Sequence, residues 1–180
     1  MIPESLQELV RHMEWADALV WRSLLALPQA QSDSRLRELL HHVHVVQWAY
    51  LQIWRDEPLD MPDVATFEDL PAIHEWCREY YRQVPEYLNT VDAETLQRQV
   101  QFPWADQLVE RWGKADPATI AETILQITSH TTYHRGQANT RLRELGGEPP
   151  LVDFIVWVWM GKPAAEWENG SRVNEGDTQR

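Results

Sequence analysis

Between residues 36 and 53 the apolar side chains recur in a strict three-four alternation: Leu36, Leu39, Val43, Val46, Tyr50 and Ile53. That period fits one face of an α-helix and no face of a β-strand, and a stripe this regular is what a helix presents to other helices. The pattern recurs over residues 3–27 at Leu6, Leu9, Met13, Ala16, Val20 and Leu24, with Pro3 suited to a first turn and Pro28 to a stop. A third stripe, Leu70, Ile73, Cys77, Tyr80, Val84 and Tyr87, predicts a helix from near Thr66, with Asp69 three residues on as a weak capping box. Pro85 falls inside it and must kink or end the helix; Tyr87 and Val91 continue the stripe, which favours a kink. The fourth stripe is Ile124, Ile127, Thr131, His134, Ala138, Leu142 and Leu145. Its start is expected at Asp116 and Pro117, and Gly146-Gly147 before Pro149-Pro150 is a strong stop.

Four such helices predict an all-α fold: a four-helix bundle with a long crossover before the fourth helix and a short C-terminal apolar segment. Asp33 or Ser34 caps the second helix, and residues 55–65 form a loop. The crossover, residues 92–116, reads as irregular, with a possible short strand at residues 99–102 that Pro103 limits. The bundle is expected to occupy residues 1–165, followed by a flexible polar tail at 166–180.

The lone cysteine, Cys77, excludes an intrachain disulfide framework and a multi-cysteine zinc site. A formal net charge of −12 argues against non-specific nucleic-acid binding. No stretch approaches the ~20 apolar residues of a membrane span, and residues 1–9 are polar and acidic rather than leader-like. A cytoplasmic protein without nucleic-acid or membrane partners is the expectation. Ten tryptophans are more than one small core should swallow, so Trp157 and Trp159 are expected to wall a pocket or an interface.

The seven histidines carry the chemistry. His130 and His134 are four apart, which on a helix puts both imidazoles on one face and lets them grip one metal ion. Among His41, His42 and His44 on the second helix, His42 lies beside Val43 near the core seam. His41 points largely away, and His44 shares a flank with Leu40 and Trp48. His42 is therefore the third candidate ligand. Facing helices that supply inward ligands are a common way for a bundle to build a metal site, and three histidines leave coordination positions open. A His-x-x-x-His pair also arises readily by chance in a chain with this many histidines, so the pattern alone leaves metal binding and ordinary packing both open.

The string His130-Thr131-Thr132-Tyr133-His134-Arg135-Gly136-Gln137 resembles the signature of the DinB-like (DinB/YfiT) superfamily. Trp15-Ala16-Asp17 is similar to its Trp-Ala-Asn, Leu39-Leu40-His41-His42-Val43 to its Leu-x-x-His-Ile, and residues 146–155 to its ending; the resemblance covers roughly residues 5–160. It implies a metal-binding four-helix bundle with His42, His130 and His134 as ligands to a divalent transition metal, zinc or nickel. It further implies a homodimer and, for some members, thiol-dependent transfer or isomerisation with low-molecular-weight thiols such as bacillithiol or mycothiol. The family name refers to damage induction. One departure is visible: Gln47 stands where many relatives carry Glu, which takes away a possible charge near the site.

The rest of the string admits roles of its own. Gln137 can sit in a second shell, orienting a ligand or a bound water, or can be a surface amide. Gly136 would let a neighbouring helix or the metal shell approach closely. Arg135 points off the metal face toward some carboxylate. Cys77 lies on a core stripe and serves packing rather than nucleophilic attack; His12 flanks the first stripe as a proton shuttle or a satisfied packing residue. Two functions follow as expectations. One is a metal-dependent thiol S-transferase or isomerase acting on an electrophilic small molecule. The other is a non-catalytic metal-binding or stress-response module acting through a homodimer.

Overall fold

The structure, a computed structural model, describes residues 2–167. Its long helices are α1 (Glu4–Leu25), α3 (Ser34–Trp54), α4 (Leu70–Thr90) and α7 (Ile120–Glu144), and they form the bundle. Short elements fill the connections: α2 (Pro28–Gln31), a 3-10 turn (Val64–Thr66), α5 (Ala93–Gln97), β1 (Gln99–Val100), α6 (Ala105–Trp112), β2 (Ala118–Thr119) and α8 (Phe154–Trp159). The described residues are all-α apart from the two-residue strands, which pair antiparallel with Gln99 opposite Thr119.

Caps set where the long helices begin. Asp33 accepts from the Leu36 amide at 2.8 Å and starts α3 at Ser34. The third bundle helix starts at Leu70 rather than near Thr66, because Asp69 accepts from the Ala72 amide, while the earlier cap, Asp63, starts only the 3-10 turn at Val64–Thr66. The fourth starts at Ile120 rather than at Asp116-Pro117. The β1–β2 pairing holds residues 118–119 extended, and Thr119 with Glu122 forms a reciprocal capping box. Pro85 does not end α4, which runs on to Thr90. The crossover is less irregular than its sequence suggested, since α5 and α6 lie within it.

The face that α3 buries differs from its apolar stripe. Leu40, His44, Gln47, Leu51 and Trp54 are buried with Leu36, Val43 and Tyr50, while Leu39, Val46 and Ile53 are only half-buried. Packed between α4 and α7, α3 buries a broader face than one seam, and two of the residues inside it are polar. The tryptophan expectation also needs correcting. Trp21, Trp54 and Trp157 are fully buried, and their indole N–H groups donate to His44 Nε2, Thr123 Oγ1 and the Pro163 carbonyl. A partner for each N–H is what lets a core accept so many indoles. Trp157 is thus core, packed with Trp15 and Ala16, while Trp159 on the same short helix is 77% exposed. The predicted polar tail lies outside the described residues from 168 on. Trp167, just before that, is half-buried against His74 and Tyr81 and donates to Glu14 at 3.0 Å.

His74 gives the fold an acid limit. It is buried between Trp21 and Trp167, and burial holds its imidazole down to about 4 against an ordinary 6.5. The unfolded chain therefore binds a proton between pH 6.5 and 4 that the folded chain refuses. This contribution to stability is full above 6.5 and is lost as the pH falls through that window. The melting temperature should drop on acidification from pH 7 to 4.5, and His74→Phe should flatten that slope; an equal slope in the variant would assign the acid sensitivity elsewhere.

Candidate metal centre

His42 comes from the middle of α3, and His130 and His134 from successive turns of α7. The two helices pack side by side, and the three imidazoles meet at the edge of that contact. Ring centroids lie 5.2 Å apart for His42–His130, 4.8 Å for His42–His134 and 4.4 Å for His130–His134. One ligand nitrogen from each lies within 4.8 Å of the others. Imidazole nitrogens at 2.0–2.1 Å from a tetrahedral ion sit roughly 3.3 Å apart, so small side-chain rotations close the set on one metal.

The cluster is not at the core seam, where the stripe had placed His42. His42 is exposed, and His130 and His134 are half-buried. The surface beside them is a groove of about 430 Å³ whose lining includes Arg35, Glu38, His42, Gln137 and Glu144. A ligand thus has a way in.

The electrostatics suit a cation. Among the described residues no carboxylate belongs to the cluster. Burial, and then the neighbouring His134 and His42, hold His130 down to about 4. Burial, then His134 and His41, likewise pulls His42 below its ordinary value. Neutral imidazoles with free lone pairs are the form a metal needs. His130 Nδ1 is also buried without any hydrogen-bond partner, a costly state for a polar atom. Donor type, spacing and this orphaned nitrogen together fit a divalent transition metal. Gln137 Oε1 lies 2.8 Å from His134 Nδ1. An amide oxygen can only accept, so that nitrogen carries the proton and Nε2 keeps the lone pair. Tyr133 packs edge-on to His134 at 5.0 Å.

The other histidines are engaged elsewhere. His41 bonds to the Pro62 carbonyl and stacks on Trp76, and His12 bonds to the Val152 carbonyl. His44 is buried between Trp21 and Gln47. Cys77 is fully buried, and burial pushes its thiol well above the ordinary range. It is no nucleophile.

Behind the cluster lies a buried network that the sequence did not announce. Arg135 donates to Asp17 Oδ1 at 2.7 Å, with side chains only 4% and 6% exposed, so its partner is in the core and not on the surface. Asp17 Oδ2 accepts from Tyr81 Oη at 2.5 Å and from Gln47 Nε2 at 3.2 Å, and Gln47 also donates to Thr131. Gln47 therefore turns into the core, where it meets His44, and away from the His42, His130 and His134 cluster. One clue was available in the sequence: Arg135 lies four residues after Thr131, on the buried side of α7.

The chain matches the profile of the DinB family over residues 1–169. It belongs to the DinB family. No curated protein matches it. For this DinB protein the all-α bundle and the three-histidine cluster on α3 and α7 stand as found. Gly136 departs from expectation: a Cβ there would meet nothing within 4 Å, so neither a helix nor the histidine cluster approaches it.

Proposed function

We propose that this DinB protein holds zinc or nickel on His42, His130 and His134 and transfers a low-molecular-weight thiol to an electrophilic small molecule. The observation that carries this reading is a donor set of imidazoles alone, opening on a groove. A divalent ion held by neutral ligands keeps its full charge, and its Lewis acidity lowers the pKa of a thiol that reaches it. Gln137 fixes the tautomer of His134, and His130 is held neutral by its burial. The groove walls of α3 and α7 receive the substrates. The thiol's proton goes to solvent; the sulfur–carbon bond forms as the electrophile's leaving group departs with its electron pair. With Cys77 buried, the thiol must come from outside the chain. A lone protein thiol also suits a reducing, cytoplasmic setting.

The test is turnover by the metal-loaded protein with a panel of thiols and electrophiles. Thiol-dependent consumption of an electrophile, absent in His134→Ala, is the expected result. A loaded protein that turns over no pair overturns the transferase reading.

A second reading, a non-catalytic stress-response module acting through a homodimer, is favoured by the apolar surface of α8. Ile155, Trp159 and Met160 are all exposed on or just after this short helix, and clustered exposed apolar side chains are a form that a subunit contact takes. Sedimentation should give a dimer that Trp159→Glu converts to a folded monomer. A wild-type monomer at micromolar concentration would dispose of this surface as a dimer contact.

A further inference from the structure

Gly136 has no part in the histidine cluster, because two residues beyond His134 is about 200° around the helix. Its φ is ordinary, and a Cβ would meet nothing within 4 Å. Neither strain nor close packing demands glycine, yet glycine inside a helix costs about 1 kcal/mol relative to alanine. What Gly136 does is leave open the floor of a cavity of about 610 Å³ between α1, α7 and residues 152–154.

The cavity is mostly apolar, walled by Leu9, Met13 and Phe154. Two polar groups on it are unspent. His12 is only 7% exposed, and its Nε2 lies 2.9 Å from the Val152 carbonyl. A carbonyl only accepts, so Nε2 carries the proton and Nδ1 is a bare acceptor, with no partner among the described residues. Burial keeps this imidazole neutral by lowering its pKa. Asn139 Oδ1 is buried without a partner. An unpaired buried acceptor such as Asn139 Oδ1 is costly, and an apolar cavity of this size with a few convergent polar groups is the form of a small-molecule site. The charges narrow the ligand. Arg135 reaches the lining but is committed to Asp17, and Asp153 adds a carboxylate, so an anion finds no counter-charge. Phe154 stands edge-on to His12 at 5.2 Å, an aromatic wall that suits a ring.

We propose that this cavity, distinct from the histidine cluster, binds a small uncharged aromatic molecule carrying an N–H or O–H donor, such as an aryl carboxamide or aryl alcohol. The ligand's donor bonds to His12 Nδ1, its ring lies against Phe154 and Met13, and Gly136 leaves room for it.

The experiment is an NMR titration of the full chain with benzamide, acetophenone and benzoate. Benzamide should bind saturably, shifting the Gly136 amide and the His12 ring. Acetophenone, which lacks a donor, should bind about tenfold more weakly, the worth of one hydrogen bond, and benzoate should not bind. Gly136→Leu should abolish benzamide binding while the melting temperature stays level or rises and metal content is unchanged. The proposal is overturned if benzamide gives no saturable shift, if the three probes bind alike, or if Gly136→Leu binds as the wild type does. It is equally overturned if Gly136→Leu turns a dimer into a monomer, since a second copy would then be what fills the cavity.

Discussion

Asp17→Asn should lower the stability of this protein by about 3–5 kcal/mol, the cost of stranding one charge of a buried ion pair. Asp17 and Arg135 are both almost fully buried, and they meet at 2.7 Å. Asparagine keeps the shape and removes the charge, leaving the Arg135 guanidinium with the Met13 carbonyl and the Thr132 hydroxyl as its remaining partners. A chain of this length should then melt about 10 °C lower. The companion variant tells electrostatics from packing. Gln47 Nε2 touches Asp17 Oδ2 at 3.2 Å, so Asp17→Asn with Gln47→Glu returns a carboxylate to the same buried network as Arg135. The double variant should recover at least half the loss in urea or thermal unfolding. If it is no more stable than Asp17→Asn alone, the pair matters for its shape and not its charge. The same contact revises the reading of Gln47. The resemblance set a missing charge at Gln47; the structure places Asp17 against that side chain, so a carboxylate is present beside it all the same.

The second large effect is on metal content. Protein purified without an affinity tag, then loaded and dialysed, should carry close to one zinc or nickel per chain by elemental analysis. His134→Ala should carry almost none. That change deletes one of the three ligands and the nitrogen whose tautomer Gln137 fixes. Loading should also stabilise the fold, because a ligand that binds only the folded state adds about 2.7 kcal/mol at a hundred times its dissociation constant. The rise in melting temperature should appear in the wild type and vanish in His134→Ala, while the two metal-free proteins melt close together. Background metal in the wild type would remove both the centre and the transferase reading.

Much of this was legible because helices write their packing into sequence at a fixed period. The stripes on α1, α3, α4 and α7 marked four helices, and the i, i+4 spacing of His130 and His134 put two imidazoles on one face. Less legible was any position where a polar residue is buried or a connection sets a boundary. The α3 stripe ranked Val46 and Ile53 above Gln47 and His44, because hydrophobicity cannot see an amide that is satisfied inside the core. The start of α7 moved to Ile120 because β1, some twenty residues earlier, holds Thr119 extended. Trp21, Trp54 and Trp157, read as surplus, became core once their indole N–H groups found acceptors at His44, Thr123 and the Pro163 carbonyl.

Local pattern, then, was enough to determine the helices, the candidate histidines and the family resemblance, since each depends on spacing along one helix or on a short string. Tertiary structure decided what depends on two elements at once. It set His42 across from His130 and His134 at an exposed edge, joined Asp17 to Arg135 over more than a hundred residues, and left Gly136 facing an open cavity. Periodicity says which way a side chain points around its own axis. Only the packing of a second helix says what it meets there.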